Sequence, residues 1–255
     1  MGSAVGLEGR RALVTGGGRG IGRAVALALA TAGADVAVAA RTGAETTGVA
    51  AEIAACGRRS LALAADVTDP AQVAAMAAAM ERGMGSIDIL VNAAGDAESA
   101  LMTRTDLALW NRMIAVNLTA VFLCTSRALP GMLQGGWGRV ISVASNAGLH
   151  GYAYVSAYCA AKHGVVGFTR AVAQEVAGKG VTINALCPGY VDTEMTRRSA
   201  ERISAKTGRT FEDSLAHLAR SNPSGRLLSP SEVAAAALRL AGAGADGING
   251  EALPL

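Results

Sequence analysis

The chain is poor in aromatic residues, lysine, proline and cysteine, and each shortage excludes something. Aromatics are 4% of 255 residues while hydrophobic residues are 51%, so the core must be built from Ala, Val, Leu and Ile rather than from rings. Cys56, Cys124, Cys159 and Cys187 are far apart and show neither CxxC nor metal-ligand spacing. That pattern fits reduced core cysteines of a cytoplasmic protein and not a disulfide framework. His150, His163 and His217 form no ligand cluster, so no metal is expected. The formal charge of +3 is spread without a basic block, which gives nucleic-acid binding no support. No apolar run reaches about 18 residues without a charge, and Met1–Arg10 lacks a signal-peptide core, so neither a membrane span nor export is expected.

What is plentiful is small residues, with 32 glycines, and a regular alternation of short apolar runs with helix-patterned ones. Apolar strands are predicted at Arg11–Thr15, Asp35–Ala40, Ser60–Ala65, Asp88–Val91, Arg139–Ala144, Val181–Cys187 and Ile248–Leu255. Helices are predicted at Thr46–Cys56, Pro70–Gly83, Leu107–Leu133 and Pro230–Ala241, with one before Gly33 and one around Tyr158. The alternation implies a doubly wound parallel sheet of about seven strands in one domain, 1–255, with ligands at the carboxyl ends of the strands. Residues 190–223 turn polar and carry Arg197, Arg198, Arg202, Lys206, Arg209 and Arg220 on weak helical patterns, which reads as a mobile flap. Its cations can meet the phosphates of a carrier such as coenzyme A, or simply face solvent.

Two stretches carry chemistry. The first is Gly16-Gly17-Gly18-Arg19-Gly20-Ile21-Gly22 between the first strand and the first helix, where backbone N–H groups can meet a pyrophosphate. The second strand ends at Ala40-Arg41, without the acid that bonds an NAD ribose. Arg19 and Arg41 can instead bracket a 2′-phosphate, which favours NADP(H) over NAD(H); two solvated surface arginines are the plain alternative. Asp66 falls at a strand end, where its carboxylate can bond adenine. Asn92-Ala93-Ala94-Gly95 follows the fourth strand, with small residues that let backbone lie against a ligand.

The second stretch is Arg139–Gly164. Of four tyrosines, only Tyr158 has a lysine, Lys162, four residues on, one helical turn away on the same face. An ammonium beside a phenol is expected to pull its pKa below about 10. An ordinary surface pair has the same spacing, but Ser145 just past the preceding strand gives this pair a ligand-binding context. Asn117, in an apolar stretch, is either a satisfied core amide or the holder of a water that relays protons to Lys162. Asn146, His150, Tyr152 and Trp110 are expected around the substrate.

With these motifs the whole chain resembles the short-chain dehydrogenase/reductases, in particular their 3-oxoacyl reductase and polyketide ketoreductase branch. The resemblance implies Asn117, Ser145, Tyr158 and Lys162 as catalytic residues, with Tyr158 and Lys162 also touching cofactor. It implies Gly16, Gly18, Arg19, Gly20, Ile21 and Gly22 at the cofactor phosphates, Asp66 and Val67 at adenine, and Asn92, Ala93 and Gly95 at the central sheet. It further implies Pro188, Gly189, Val191 and Thr193 at the nicotinamide. The expected activity is NADPH-dependent reduction of a ketone or 3-oxoacyl substrate, with Tyr158 as general acid. The alternative is an NAD-dependent secondary-alcohol or 3-hydroxyacyl-CoA dehydrogenase. Gly136 and Gln174 stand where carrier-protein-dependent relatives have arginines, which favours a free carbonyl compound or a coenzyme A thioester. A homotetramer or homodimer is expected.

Overall fold

The computed structural model describes residues 6–255, so part of the Met1–Arg10 reading lies outside the described residues. Strands β1 (Arg11–Thr15), β2 (Asp35–Ala40), β3 (Ser60–Ala64), β4 (Ile89–Asn92), β5 (Gly138–Val143), β6 (Val181–Cys187) and β7 (Ala252–Pro254) form one sheet. All pairs are parallel, in the order β3-β2-β1-β4-β5-β6-β7. The order reverses between β1 and β4, and at such a reversal the connections diverge to opposite faces and leave a crevice.

Strand side chains alternate between two cores. Ala12, Val14, Ile89, Val91 and Ile141 face one layer, which holds α1 (Gly20–Thr31), α2 (Gly43–Ala55) and α9 (Pro230–Ala241). Leu13, Leu90, Val140 and Ile183 face the other, which holds α3 (Pro70–Met84), α5 (Ala120–Gly135) and α6 (Ser156–Val176). The amino-terminal ends of the strands are tied by ion pairs. Asp88 accepts from Arg11 Nε at 2.7 Å and Asp35 from Arg59 Nε at 2.8 Å.

Two expectations are corrected. The single helix predicted over Leu107–Leu133 is α4 (Leu107–Ile114), a π turn at Ala115–Thr119, and α5, which ends on Gly136 in the left-handed region. The stretch Leu107–Gly135 is long and apolar enough to cross a membrane, yet Ala120, Cys124, Ala128 and Met132 pack on the sheet. The last strand is only Ala252–Pro254. The weak helical patterns read within 190–223 are two capped helices, α7 (Glu194–Thr207) and α8 (Phe211–Arg220). Thr193 and Thr210 cap them, each accepting from a first-turn N–H.

Helix α9 packs its buried Val233, Ala237 and Leu240 in the same core as α1 and starts with a capping box, Ser229 with Glu232. Hydrogen bonding from Arg226 and the Ser229 N–H holds the Glu232 carboxyl down at about 2. Its contribution to stability is therefore complete above about 4.5 and is lost as pH falls toward about 2. Urea midpoints of wild type and Glu232→Gln should differ at pH 6, with wild type higher, and converge between pH 4.5 and 2.

Candidate active site

The crevice is built from strand ends and glycines. Gly16 has φ +65° and lies so close to the β4 end that a Cβ would stand 2.7 Å from the Ala94 backbone. A Cβ on Gly22 would meet the Gly16 carbonyl oxygen at 2.1 Å. A side chain fits at neither position, so β1, the turn and α1 can close up only with glycine. Helix α1 begins at Gly20 after Arg19, whose side chain makes no cap, so its first N–H groups lack a side-chain acceptor. They adjoin a cavity of about 480 Å³ lined by Gly16, Gly18, Arg41, Asp66, Val67 and Gly95 among others. These uncapped donors and the close backbone approach fit a dinucleotide pyrophosphate.

Arg41, which also lines this cavity, is exposed and, among the described residues, has no hydrogen-bond or ion-pair partner. Arg19 differs from the reading that paired it with Arg41. Its guanidinium is ion-paired with Glu194 of α7 and lies 3.9 Å from Glu45. Asp66 turns its carboxylate on Thr68, accepting from its N–H at 2.9 Å and its hydroxyl at 2.7 Å.

A second cavity, of about 180 Å³, shares Ile21, Ala93, Gly95 and Thr193 with the first. Its walls include Asn117, Ser145, Tyr158, Lys162, Pro188, Gly189 and Val191, so the structure brings these sequence-chosen residues together. Asn146 and Tyr152 also line it. His150 and Trp110 do not: His150 is exposed, and Trp110 packs by Leu109, Met113 and Ala157. Asn92, although chosen, is buried at the sheet, its amide 3.3 Å from the Thr125 hydroxyl.

Tyr158 and Lys162 stand one turn apart on α6, but the ammonium does not reach the phenol oxygen. Lys162 Nζ donates to the Val143 carbonyl at 2.8 Å and lies 5.7 Å from the Tyr158 ring centre. Burial pushes the Tyr158 phenol up to about 12, with the neighbouring Ser145 hydroxyl working against the rise. Burial also lowers Lys162 to about 8. The expected depression of the phenol pKa is thus reversed: the turn spacing gives proximity, but desolvation dominates and the lysine is not among the groups that lower the phenol. The phenol stays protonated throughout the neutral range.

Asn117 sits on the π turn and is fully buried. Its amide donates to Asp96 O at 2.9 Å and Met113 O at 3.0 Å, and its oxygen accepts from Asp96 N at 3.3 Å. It fastens the loop after β4, and Gly95 is close enough that a Cβ would stand 2.9 Å from its oxygen. The helix α7 is held over the same loop by Arg198 to Asp96 at 3.2 Å and Arg202 to Ala97 O at 3.1 Å.

One residue had no signal in the sequence. Asn222, in the polar run after α8, is buried and forms a two-way pair with Tyr190, accepting from its N–H at 2.7 Å and donating to its carbonyl at 2.8 Å. It also donates to Arg226 O at 2.7 Å. A Cβ on Gly189 would lie 2.2 Å from the Asn222 oxygen, so Pro188-Gly189-Tyr190 and the end of the flap are fitted to each other. Asn222→Leu leaves the Tyr190 N–H and the Arg226 carbonyl without this partner. It should lower stability by about 2 kcal/mol or more, measured by urea unfolding.

Comparison with known proteins follows the geometry. Residues 10–204 match the model of the short chain dehydrogenase family. The chain is 41% identical over 247 residues to the D-beta-hydroxybutyrate dehydrogenase of Cupriavidus necator, covering 96% of this chain and 95% of that protein. It is 39% identical over 247 residues to the 3-oxoacyl-(acyl-carrier-protein) reductase of Vibrio harveyi, covering 97% and 96%. Among solved structures, a variant of actinorhodin polyketide ketoreductase with NADPH superposes with a TM-score of 0.93 at 35% identity, covering 100% of this chain and 97% of that one. With this sheet order, a glycine turn at its reversal and similarity along the whole length, the chain belongs to the short-chain dehydrogenase/reductase family of oxidoreductases.

Proposed function

We propose that the protein is an NADPH-dependent carbonyl reductase that converts a ketone or 3-oxoacyl-type substrate to the secondary alcohol. The observation that carries this is the convergence of Ser145, Tyr158 and Lys162 on the wall of one small cavity that adjoins the glycine-turn cavity. When bound, the nicotinamide supplies hydride to the carbonyl carbon. Tyr158 donates a proton to the developing alkoxide, a far stronger base than a phenolate at about 12. Ser145, at the end of β5, hydrogen-bonds the same oxygen and orients it. Lys162, anchored on Val143 O, places a positive charge beneath the phenol ring and can bond the nicotinamide ribose. Asn117 holds the loop after β4 and can retain a water on a lone pair left by its three backbone bonds. Pro188, Gly189, Val191 and Thr193 form the wall where the nicotinamide ring would lie.

The NADPH preference rests on Ala40 where an acid would read the ribose hydroxyl, and on the unengaged Arg41 beside it. Asp66 and Val67 would flank adenine. The second reading, NAD-dependent oxidation of a secondary alcohol or 3-hydroxyacyl-CoA, is favoured by one observation: Glu45 and Glu194 put two carboxylates beside Arg19 in the same mouth. The similarity to D-beta-hydroxybutyrate dehydrogenases fits that reading too. A coenzyme A thioester could use Lys206, Arg209 or Arg220, since Arg197, Arg198 and Arg202 have partners within the chain. A cytoplasmic homotetramer or homodimer completes the proposal.

Tyr158→Phe should lower kcat for ketone reduction about 10²–10⁴-fold while NADPH binding, read by cofactor fluorescence, changes little. Arg41→Ala should weaken NADPH about tenfold or more and leave NADH within a few-fold. Tighter binding of NADH by wild type favours the second reading.

A further inference from the structure

The lining of the smaller cavity bears on what can enter it, and this inference rests on the carbonyl-reductase reading. Its apolar walls are Ala97, Val143, Ala147, Val155 and Met195. Its polar side chains are neutral amides, phenols and hydroxyls, and the single cation among its lining residues is Lys162. That ammonium is committed to Val143 O and lies toward the Tyr158 ring. The nearest flap cations are also engaged, Arg198 by Asp96 and Arg202 by the Ala97 carbonyl. The amides of Asn117 and Asn222 are spent on backbone groups. A carboxylate placed next to the reacting carbonyl would lose its water and find no unengaged cation, an unfavourable exchange.

The chain next to Val155 of the cavity wall continues this character. Residues 100–102 run against residues 154–156, with Ala100 N–H donating to Tyr154 O at 2.8 Å and the Ser156 hydroxyl 3.6 Å from Met102 Sδ. Val155 of the second segment, and Tyr152 just before it, line the cavity itself. The rim exposes Leu101 (47%), Met102 (67%) and Tyr154 (61%), three large side chains that solvent alone would not favour. Tyr154 has φ +69° and is the one non-glycine residue with positive φ among the described residues. A bulky aromatic is held there in a conformation that glycine would adopt without strain.

We propose that the substrate is an uncharged carbonyl compound with an apolar body, that its body lies on Leu101, Met102 and Tyr154, and that free 3-oxo and 3-hydroxy acids are rejected. The occupant is the outer part of the substrate whose carbonyl sits at Tyr158, because Tyr154 directly precedes Val155 of the cavity wall and is hydrogen-bonded to Ala100, beside Leu101 and Met102.

The test is kcat/KM with NADPH for 3-oxobutanoate, its ethyl ester and ethyl 3-oxooctanoate. The short ester should exceed the free acid by at least about thirtyfold, since only the acid must bury an unpaired charge. The octanoate ester should exceed the short ester several-fold. Met102→Asp should lower the octanoate ester more than the short one. A free acid turned over within about thirtyfold of its ester overturns the exclusion of carboxylates. Equal loss for both esters in Met102→Asp, or no gain with chain length, overturns the assignment of the rim. Turnover of none of the three compounds, with NADPH binding intact, overturns the carbonyl-reductase reading and this inference with it.

Discussion

The hydrogen bond from Lys162 Nζ to the Val143 carbonyl, 2.8 Å long, ties the first turns of α6 to the end of β5. Through it the ammonium is fixed on the sheet and the phenol of Tyr158, one turn earlier, is aimed into the cavity. The bond satisfies one ammonium proton in a buried place where an uncommitted charge would be costly. It also explains why the lysine does not act as a direct partner of the phenol oxygen. Burial raises one group and lowers the other, to about 12 and about 8. Both shifts favour neutral forms, so the phenol stays protonated at neutral pH.

The rest of the fold serves this arrangement by bringing a second cavity against the first. The sheet reverses its order between β1 and β4, and the closeness of Gly16 to Ala94 at that reversal leaves the uncapped start of α1 open to an anion. On the other side, Asn117 holds the loop after β4, and Asn222 holds the loop after β6. Two buried amides thus set the positions of the two chain segments that wall the smaller cavity. They do so through bonds to backbone, which fix a loop whatever its side chains are.

Strands were legible in the sequence because burial on both faces of a parallel sheet demands apolar runs such as Val181–Cys187 and Asp35–Ala40. The glycine turn and the Tyr158–Lys162 spacing were legible because each needs particular residues at fixed intervals. The π turn at Ala115–Thr119 was not, since one extra residue in a helical turn leaves the apolar pattern almost unchanged. The two helices within 190–223 showed only as weak helical patterns without bounds, because their exposed faces are highly polar, although Thr193 and Thr210 are ordinary caps. Asn222 lies 32 residues from Tyr190, and no local pattern distinguishes it from a loop asparagine. The direction of the Tyr158 shift was missed for a related reason: spacing along a helix gives distance between two groups but not their solvation.

The account turns on the solvation of Tyr158, and tyrosinate absorbance titration of the cofactor-free protein, wild type minus Tyr158→Phe, reads it directly. The account predicts a difference spectrum without tyrosinate from Tyr158 up to pH 10.5, consistent with a phenol near 12. Ionisation of Tyr158 below about pH 9 would contradict it, because the lysine would then outweigh burial and the phenolate would be the resting form in alkaline solution.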